Sequence, residues 1–456
     1  MSDSDTRLDT LITTHLAALH ESHDRTVWVG LSGGLDSTAL LHCASSLSKQ
    51  LSSDLKAIHV NHHLSEHAND WGSHCQQLCR DLNVPLVVEN VHIDKNAGES
   101  IEALAREARY RAITLHMNSN DVLLTAHHAD DQAETVLLQM LRGAGVTGLS
   151  AMRNTRALQQ GYHVRPWLNT PRSALEEYAA QHKLCWIDDD SNTNTRFDRN
   201  YLRHDILPML EKRWPAVTQM LSRTAQHMVS AEHCLSALAE LDLQQLDPQP
   251  VNMFDYRGFS LDLIKLQMLS PERQANVLRH WLRQVNLSLP DQVHLQRVFS
   301  EVLTAKEDRQ PCVAWPETEI RRYRTRLYAS RPLTALNLLS QDWSVSTQPS
   351  LQLEHGVVSY QQVDRQGLDM GKLLQHHVSI RFRSGGEQVR PVGSKHTKKL
   401  KKLLQEAAIP DWLRRRIPLV YIDDELAAIP GLWVFEPFQS TPNAPAIQLD
   451  WRPNLD

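Results

Sequence analysis

At 456 residues the chain is too long for one ordinary core, and about 100–200 residues per domain gives two to four domains. Its 41% hydrophobic and 22% charged residues, with no apolar run near the ~20 needed to span a bilayer, read as soluble and globular, with no membrane partner. A net charge of −5 argues against a nucleic-acid partner only if charge is evenly spread along the chain.

The start, Met-Ser-Asp-Ser-Asp, lacks the basic and apolar regions of a secretion signal, and six scattered cysteines without zinc or disulfide spacing fit a reducing compartment. A cytoplasmic location with free thiols is expected. The segment from Val27 to Leu41 reads as an apolar strand, a Ser32-Gly33-Gly34-Leu35-Asp36-Ser37 loop and a helix over 37–47. Two adjacent glycines permit backbone angles closed to other residues, so successive amides can converge on an anion at the helix start. The serine hydroxyls can add donors. The loop lacks the spacing of a Walker A sequence and the third glycine of a dinucleotide fingerprint.

Strands follow at 55–61, 85–89 and 121–126, with helices at 68–82, 99–117 and 130–141. This alternation predicts an α/β fold, a doubly wound parallel sheet whose ligands sit at the carboxyl ends of the strands. His62, His63 and His67 lie close in sequence, but no paired zinc ligands accompany them. Arg106 and Arg109 share a helix and can reach the strand edge, as phosphate partners or in salt bridges with Glu102 and Glu107. The segment His127-His128-Ala-Asp130-Asp131-Gln-Ala-Glu134-Thr135 opens a helix, with Asp130, Asp131 and Glu134 within mutual reach. Those acids call for a cation, either a Mg²⁺ carried in with a phosphate ligand or an amine.

A helix over 170–182 is expected to open on a capping Thr170 with Pro171 in its first turn. An acidic polar loop, 188–194, precedes Arg199, Asn200 and Arg203. From Trp214 the period is helical and suggests a second, helical domain ending near Tyr328, followed by a linker at 330–350. The last hundred residues read as a small α/β domain with a strand at 378–383 and a basic helix at 397–408. The division expected is 1–215, 216–330 as a helical domain and 350–456 as a small basic domain. Between Arg381 and Arg416 eleven basic residues against three acids leave a local charge of plus eight.

Ser-Gly-Gly-Xaa-Asp-Ser resembles the loop of the N-type ATP pyrophosphatases, or PP-loop proteins. The chain as a whole resembles the tRNA(Ile)-lysidine synthetase family in its long bacterial form. The resemblance rests on Ser32 to Ser37, Ile101-Glu102 with Arg106 and Arg109-Tyr110, His128 with Asp130-Asp131 and Glu134-Thr135, and Asp189 to Asn192 with Arg199-Asn200 and Arg203. It continues through Arg309 to Pro311, Arg321 to Tyr323, Lys398 to Lys402 and Ile409 to Arg414.

The resemblance implies ATP and Mg²⁺ as cofactors, and L-lysine and an isoleucine tRNA with a CAU anticodon as partners. The wobble cytidine is adenylated, and lysine then displaces AMP to give lysidine. It implies ATP on Ser32, Gly33, Gly34, Leu35, Asp36 and Ser37, Mg²⁺ through Asp36 and Asp131, and lysine or metal at Asp131 and Glu134. Arg109 and Arg203 would offset phosphate or nucleotide charge, and Lys398, Lys399, Lys401, Lys402, Arg414 and Arg415 would grip tRNA. The resemblance also implies ATP binding and catalysis for 1–215 and tRNA binding for 216–330 and 350–456. On this reading Glu134→Gln slows lysine transfer more than adenylation. A PP-loop tRNA thiolase is the alternative, but no Cys-Xaa-Xaa-Cys pair is present. A non-catalytic tRNA-binding protein has no use for the loop and its acids. Oligomeric state is left open.

Overall fold

The computed structural model describes residues 3–19, 25–48, 53–63, 67–93, 101–159, 161–188, 195–306, 309–364, 367–442 and 444–454. The chain divides into two compact units, 1–234 and 235–456. In the first, α1 (Asp3–Ala17), β1 (Thr26–Gly30), α2 (Leu35–Ser46), β2 (Asp54–Asn61), α3 (Ala68–Asp81), β3 (Leu86–Asn90), α4 (Ile101–Thr114) and β4 (Val122–Leu124) follow in order. Then come α5 (Ala129–Leu141), α6 (Val146–Leu149), β5 (Thr155–Leu158), β6 (Gly161–Val164), α7 (Arg172–Gln181) and α8 (Asp198–Tyr201). A π-helical turn, Leu202–Ile206, leads to α9 (Leu207–Arg213) and to α10 (Val217–Gln245), which runs past residue 234 into the second unit.

The six strands form one sheet in the order β3-β2-β1-β4-β6-β5, parallel except for β5. Strands covered on both faces read as apolar runs, and alternate side chains here feed two cores. Val27, Val29, Val122 and Leu124 join Leu8, Ile12, Leu40, Leu41 and Trp167 on one face. Trp28, Ile58, Leu123 and Ile113 pack on the other. Asp121, fully buried, ties β1 to the start of β4 by accepting from Thr26 N at 2.8 Å and Trp28 Nε1 at 3.2 Å. Strand order reverses at β1, so the crevice beyond its carboxyl end is where such a sheet binds ligands.

The expected helix at 170–182 is present, but its cap is different. Pro171 is the N-cap residue and makes no side-chain cap bond. Asp130, from the first turn of α5, accepts from Arg172 N at 3.0 Å instead. A carboxylate from a neighbouring helix thus does the work expected of Thr170.

In the second unit the helices Leu263–Gln267, Pro271–Gln284 and Gln292–Arg297 accompany a five-stranded antiparallel sheet. Its order is Gln249–Met253, Tyr256–Asp262, Arg326–Ser330, Thr318–Tyr323, Cys312–Trp315. Periodicity favoured only the helices, because these strands are four to seven residues long and each is bounded by a turn. The remainder holds a seven-stranded and a four-stranded sheet, both antiparallel. The basic helix is shorter than expected, Leu400–Glu406, because Lys398–Lys399 pair as a short strand with Gln388–Pro391.

Candidate active site

The loop after β1 leads straight into α2. Gly33 has φ +88, and a Cβ there would lie 3.2 Å from Cys75 Sγ, so the position needs glycine on two counts. Ile187 N donates to Gly33 O at 2.9 Å and pins the turn from outside. Gly34 is the N-cap of α2 and offers no side-chain acceptor to the first-turn amides. Those amides, at the positive end of the helix dipole, are therefore available to an anion.

The two serines brace the loop. Ser32 N donates to Ser37 Oγ at 3.1 Å, Ser37 Oγ donates to Gly34 O at 3.1 Å, and the two hydroxyls lie 3.0 Å apart. Leu35 faces the core, so only its backbone can serve a ligand.

Asp36 lies in the first turn of α2, with Oδ2 3.7 Å from His128 Nε2 and Oδ1 3.9 Å from Arg172 Nε. Oδ1 is buried without a hydrogen-bond partner, an orphan oxygen beside the anion cradle. This suits a hard cation bound with phosphates. Asp131 is engaged by other groups. Its Oδ1 accepts from Arg199 and Arg203, each at 3.0 Å, and its Oδ2 accepts from His128 N at 3.1 Å. Among the described residues no group of three or more His, Cys, Asp or Glu forms a metal-holding set.

Glu134 is fully buried and faces two guanidiniums. Arg203 Nε donates to Oε1 and Arg199 Nε to Oε2, both at 2.6 Å. Asp131, Glu134, Arg199 and Arg203 form an ion-paired quartet joining α5 to α8 and the π-helical turn. The expectation that Asp131 and Glu134 hold an ammonium or a metal meets this arrangement: every oxygen of the pair already faces a cation. Burial alone would raise the Asp131 carboxyl, but His128, Arg199, His127 and Arg203 hold it well below the usual range.

His128 is the N-cap residue of α5, and its backbone N–H donates to Asp131 Oδ2 at the third position of the helix. Burial favours its neutral form, yet Asp130, Asp36 and Asp131 outweigh that and raise its pKa to about 10. It is therefore an imidazolium set among three clustered acids. Arg109 Nε donates to His62 Nε2 at 3.3 Å, at the end of β2. Burial, then the Arg109 charge, then His59 lower His62 to about 4. Arg106 stacks over Tyr110, 5.4 Å from its ring centroid.

Of the acidic loop, Asp189, Asp190, Ser191 and Asn192 lie outside the described residues. From sequence His128 has no role beyond its motif, and Arg199 stays open between a phosphate partner and a salt bridge. Their signal was spacing: Arg199 and Arg203 are one helical turn apart, matching the turn between Asp131 and Glu134.

In the second unit Lys399, Lys401, Lys402 and Arg415 are exposed, and Lys398 is partly exposed beside Glu406 at 3.6 Å. Arg414 is a correction to the expected tRNA grip. It is 3% exposed, donating from Nε to Ile409 O at 2.8 Å and from Nη2 to Tyr323 OH at 3.1 Å. A guanidinium so enclosed holds the core together and is closed to a phosphate.

Three family profiles match the chain: a PP-loop domain at 6–210, a TilS substrate binding domain at 261–328 and a TilS substrate C-terminal domain at 378–451. A tRNA(Ile)-lysidine synthase of Coxiella burnetii (strain RSA 493 / Nine Mile phase I) is 42% identical over 416 residues, covering 90% of each chain. Enzymes of the same description from Legionella pneumophila (strain Lens) and Serratia proteamaculans (strain 568) are 41% and 39% identical, covering 91% and 94% of this chain and 92% and 96% of their own. The chain belongs to the tRNA(Ile)-lysidine synthase family.

Proposed function

We propose that the chain uses ATP to adenylate the wobble cytidine of an isoleucine tRNA with a CAU anticodon and then couples L-lysine to it. The observation that carries this reading is the glycine turn at Gly33 and Gly34 leading into the uncapped start of α2, at the switch point of the sheet. It belongs to a chain that matches lysidine synthases over nine-tenths of its length.

The cytosine C2 oxygen attacks the α-phosphorus of ATP and pyrophosphate leaves. The lysine ε-amine then adds at C2, and AMP departs with the former C2 oxygen. Adenylation is required because that oxygen alone is a poor leaving group. The loop amides bind phosphate oxygens and α2 lends its dipole. Asp36, through Oδ1, would hold a Mg²⁺ arriving with ATP, which screens phosphate charge. The quartet fixes Arg199 and Arg203 beside the strand edge, where they and Arg109 offset charge developing on the phosphates. Asp131 and Glu134 are positioning residues in this account. No covalent protein nucleophile is needed. Lys399, Lys401, Lys402 and Arg415, with Lys398, meet tRNA phosphates. A cytoplasmic location goes with this reading; among the described residues no helix is long and apolar enough to cross a membrane.

The test is pyrophosphate release from ATP without lysine. Release that requires the CAU transcript and disappears when its wobble C becomes U supports the reading. Release indifferent to that base contradicts it.

A further inference from the structure

Beside the quartet, the carboxyl ends of β4 and β6 carry a second polar chain with a fixed direction. His163, fully buried, receives two guanidinium donors at one nitrogen: Arg156 Nε and Arg165 Nη2 lie 3.3 and 3.2 Å from its Nδ1. A guanidinium only donates, so Nδ1 accepts and the ring's proton sits on Nε2. Nε2 lies 2.8 Å from Thr125 Oγ1 and donates to it. The Thr125 hydroxyl is left to donate onward, and its one other neighbour in hydrogen-bond reach among the described residues is His127 Nδ1, at 2.8 Å. His127 therefore accepts at Nδ1 and carries its proton on Nε2.

We propose that Thr125 and His163 are positioning residues that hold His127 as a neutral imidazole donating from Nε2 at the reaction edge. Arg165 anchors the far end. It is 2% exposed and its Nη1 donates to Arg153 O at 2.8 Å, so the guanidinium cannot swing away from His163. Tyr110 packs on the His163 ring at 5.3 Å between centroids, with the two planes tilted by 50°. The near end lies among the groups already described: His127 adjoins His128, whose imidazole contacts Asp36 of the loop.

The charges facing His127 are Asp131, Arg165, Arg199 and Arg106. Burial, the largest influence, and the three arginines outweigh Asp131 and push the ring down to about 3, so it stays uncharged at neutral pH. A neutral donor can share a proton with a developing oxyanion without bringing a positive charge that would trap the adenylate. The two histidines of His127-His128 are thus opposite devices. One is a cation among acids and the other a neutral donor among arginines.

The kinetic part of this inference rests on the proposed adenylation, whereas the tautomer itself needs no turnover to be read. We would label the full-length protein with ¹⁵N-histidine and assign His127 by the resonance that disappears in His127→Phe. The expectation is an Nε2–H, Nδ1-bare ring in the unsubstituted protein. In Thr125→Val, which keeps the shape and removes the hydroxyl, that single tautomer gives way to a mixture. The adenylation kcat falls on the order of 100-fold, the effect of losing one preorganised donor, with little change in KM for ATP. Thr125→Ser, which restores the hydroxyl, recovers the tautomer and most of the kcat. A protonated or Nδ1–H His127 in the unsubstituted protein overturns the proposal. So does an unchanged tautomer in Thr125→Val, or a Thr125→Ser variant as impaired as Thr125→Val.

Discussion

Glu134 shows how much of a residue's setting spacing leaves out. Its spacing from Asp131 identified a carboxylate pair, but not that both oxygens would be occupied by Arg199 and Arg203, 65 and 69 residues further on. Substituting Glu134→Gln puts an amide against a guanidinium and leaves buried charge unbalanced, at a cost of about 3 kcal/mol. Single-turnover assays of each half reaction should show adenylation and lysine transfer falling together. Selective loss of lysine transfer would return Glu134 to a direct role with the amine. His127 and His163 supply a pH test at the same scale. Burial depresses both below the ordinary value of about 6.5, so the unfolded chain takes up protons that the folded chain refuses. The stability they contribute is present above pH 6.5 and is lost as pH falls toward about 3. Thermal midpoints measured from pH 7 to 4.5 should decline, and His163→Gln should flatten the decline; an identical slope would contradict neutral burial.

Elements were legible where one physical signal dominated. The apolar strands β1, β2 and β4 and the Ser-Gly-Gly turn lie close to where period and composition put them, because burial on both faces leaves little choice of residue. The hairpin of β5 and β6 was not anticipated. Its strands are four residues each, and its chemistry, His163 and Arg165, looks like polar residues in a loop until Thr125 is seen beside them. Thr170 read as a cap because local propensity favours it, but tertiary contact let Asp130 take over. The loop makes its own prediction. Gly33→Ala must adopt φ +88 and press on Cys75, costing roughly 1–2 kcal/mol of stability. Gly34→Ala meets nothing closer than Ser32 Oγ at 3.6 Å, so it should fold normally yet obstruct the cradle. Melting curves and ATP binding measured together should separate the two. Equal effects on both quantities would refute the division between a turn glycine and a ligand-side glycine.

Across the whole molecule, net charge and local charge point in different directions. A chain with 53 acidic and 48 basic residues gathers exposed cations at Arg390, Lys395, Lys399, Lys401, Lys402 and Arg415. Counting charges along the sequence located that region but overcounted it. Arg414 is enclosed by Ile409 and Tyr323, Arg416 pairs with Asp255, and Arg381 pairs with Asp424. Arginine stems are long and apolar enough to be drawn into a core, which no linear charge count reveals. Neutralising Lys398, Lys399, Lys401 and Lys402 to Gln should weaken tRNA binding and reduce its salt dependence by roughly 0.7–0.9 in log–log slope for each phosphate no longer neutralised. Arg414→Gln should instead lower stability and leave that slope unchanged. A reduced slope for Arg414→Gln would show that the buried guanidinium reaches RNA after all.

The central claim, that this site joins lysine to a wobble cytidine, is tested most directly by incubating the protein with ATP, labelled lysine and an isoleucine tRNA transcript carrying CAU, then counting acid-precipitable label. Label that enters the tRNA and is lost when the wobble C is changed to U is the predicted result. AMP formed on adding tRNA, with no lysine incorporated, would contradict the account and point to another nucleophile on the same adenylate.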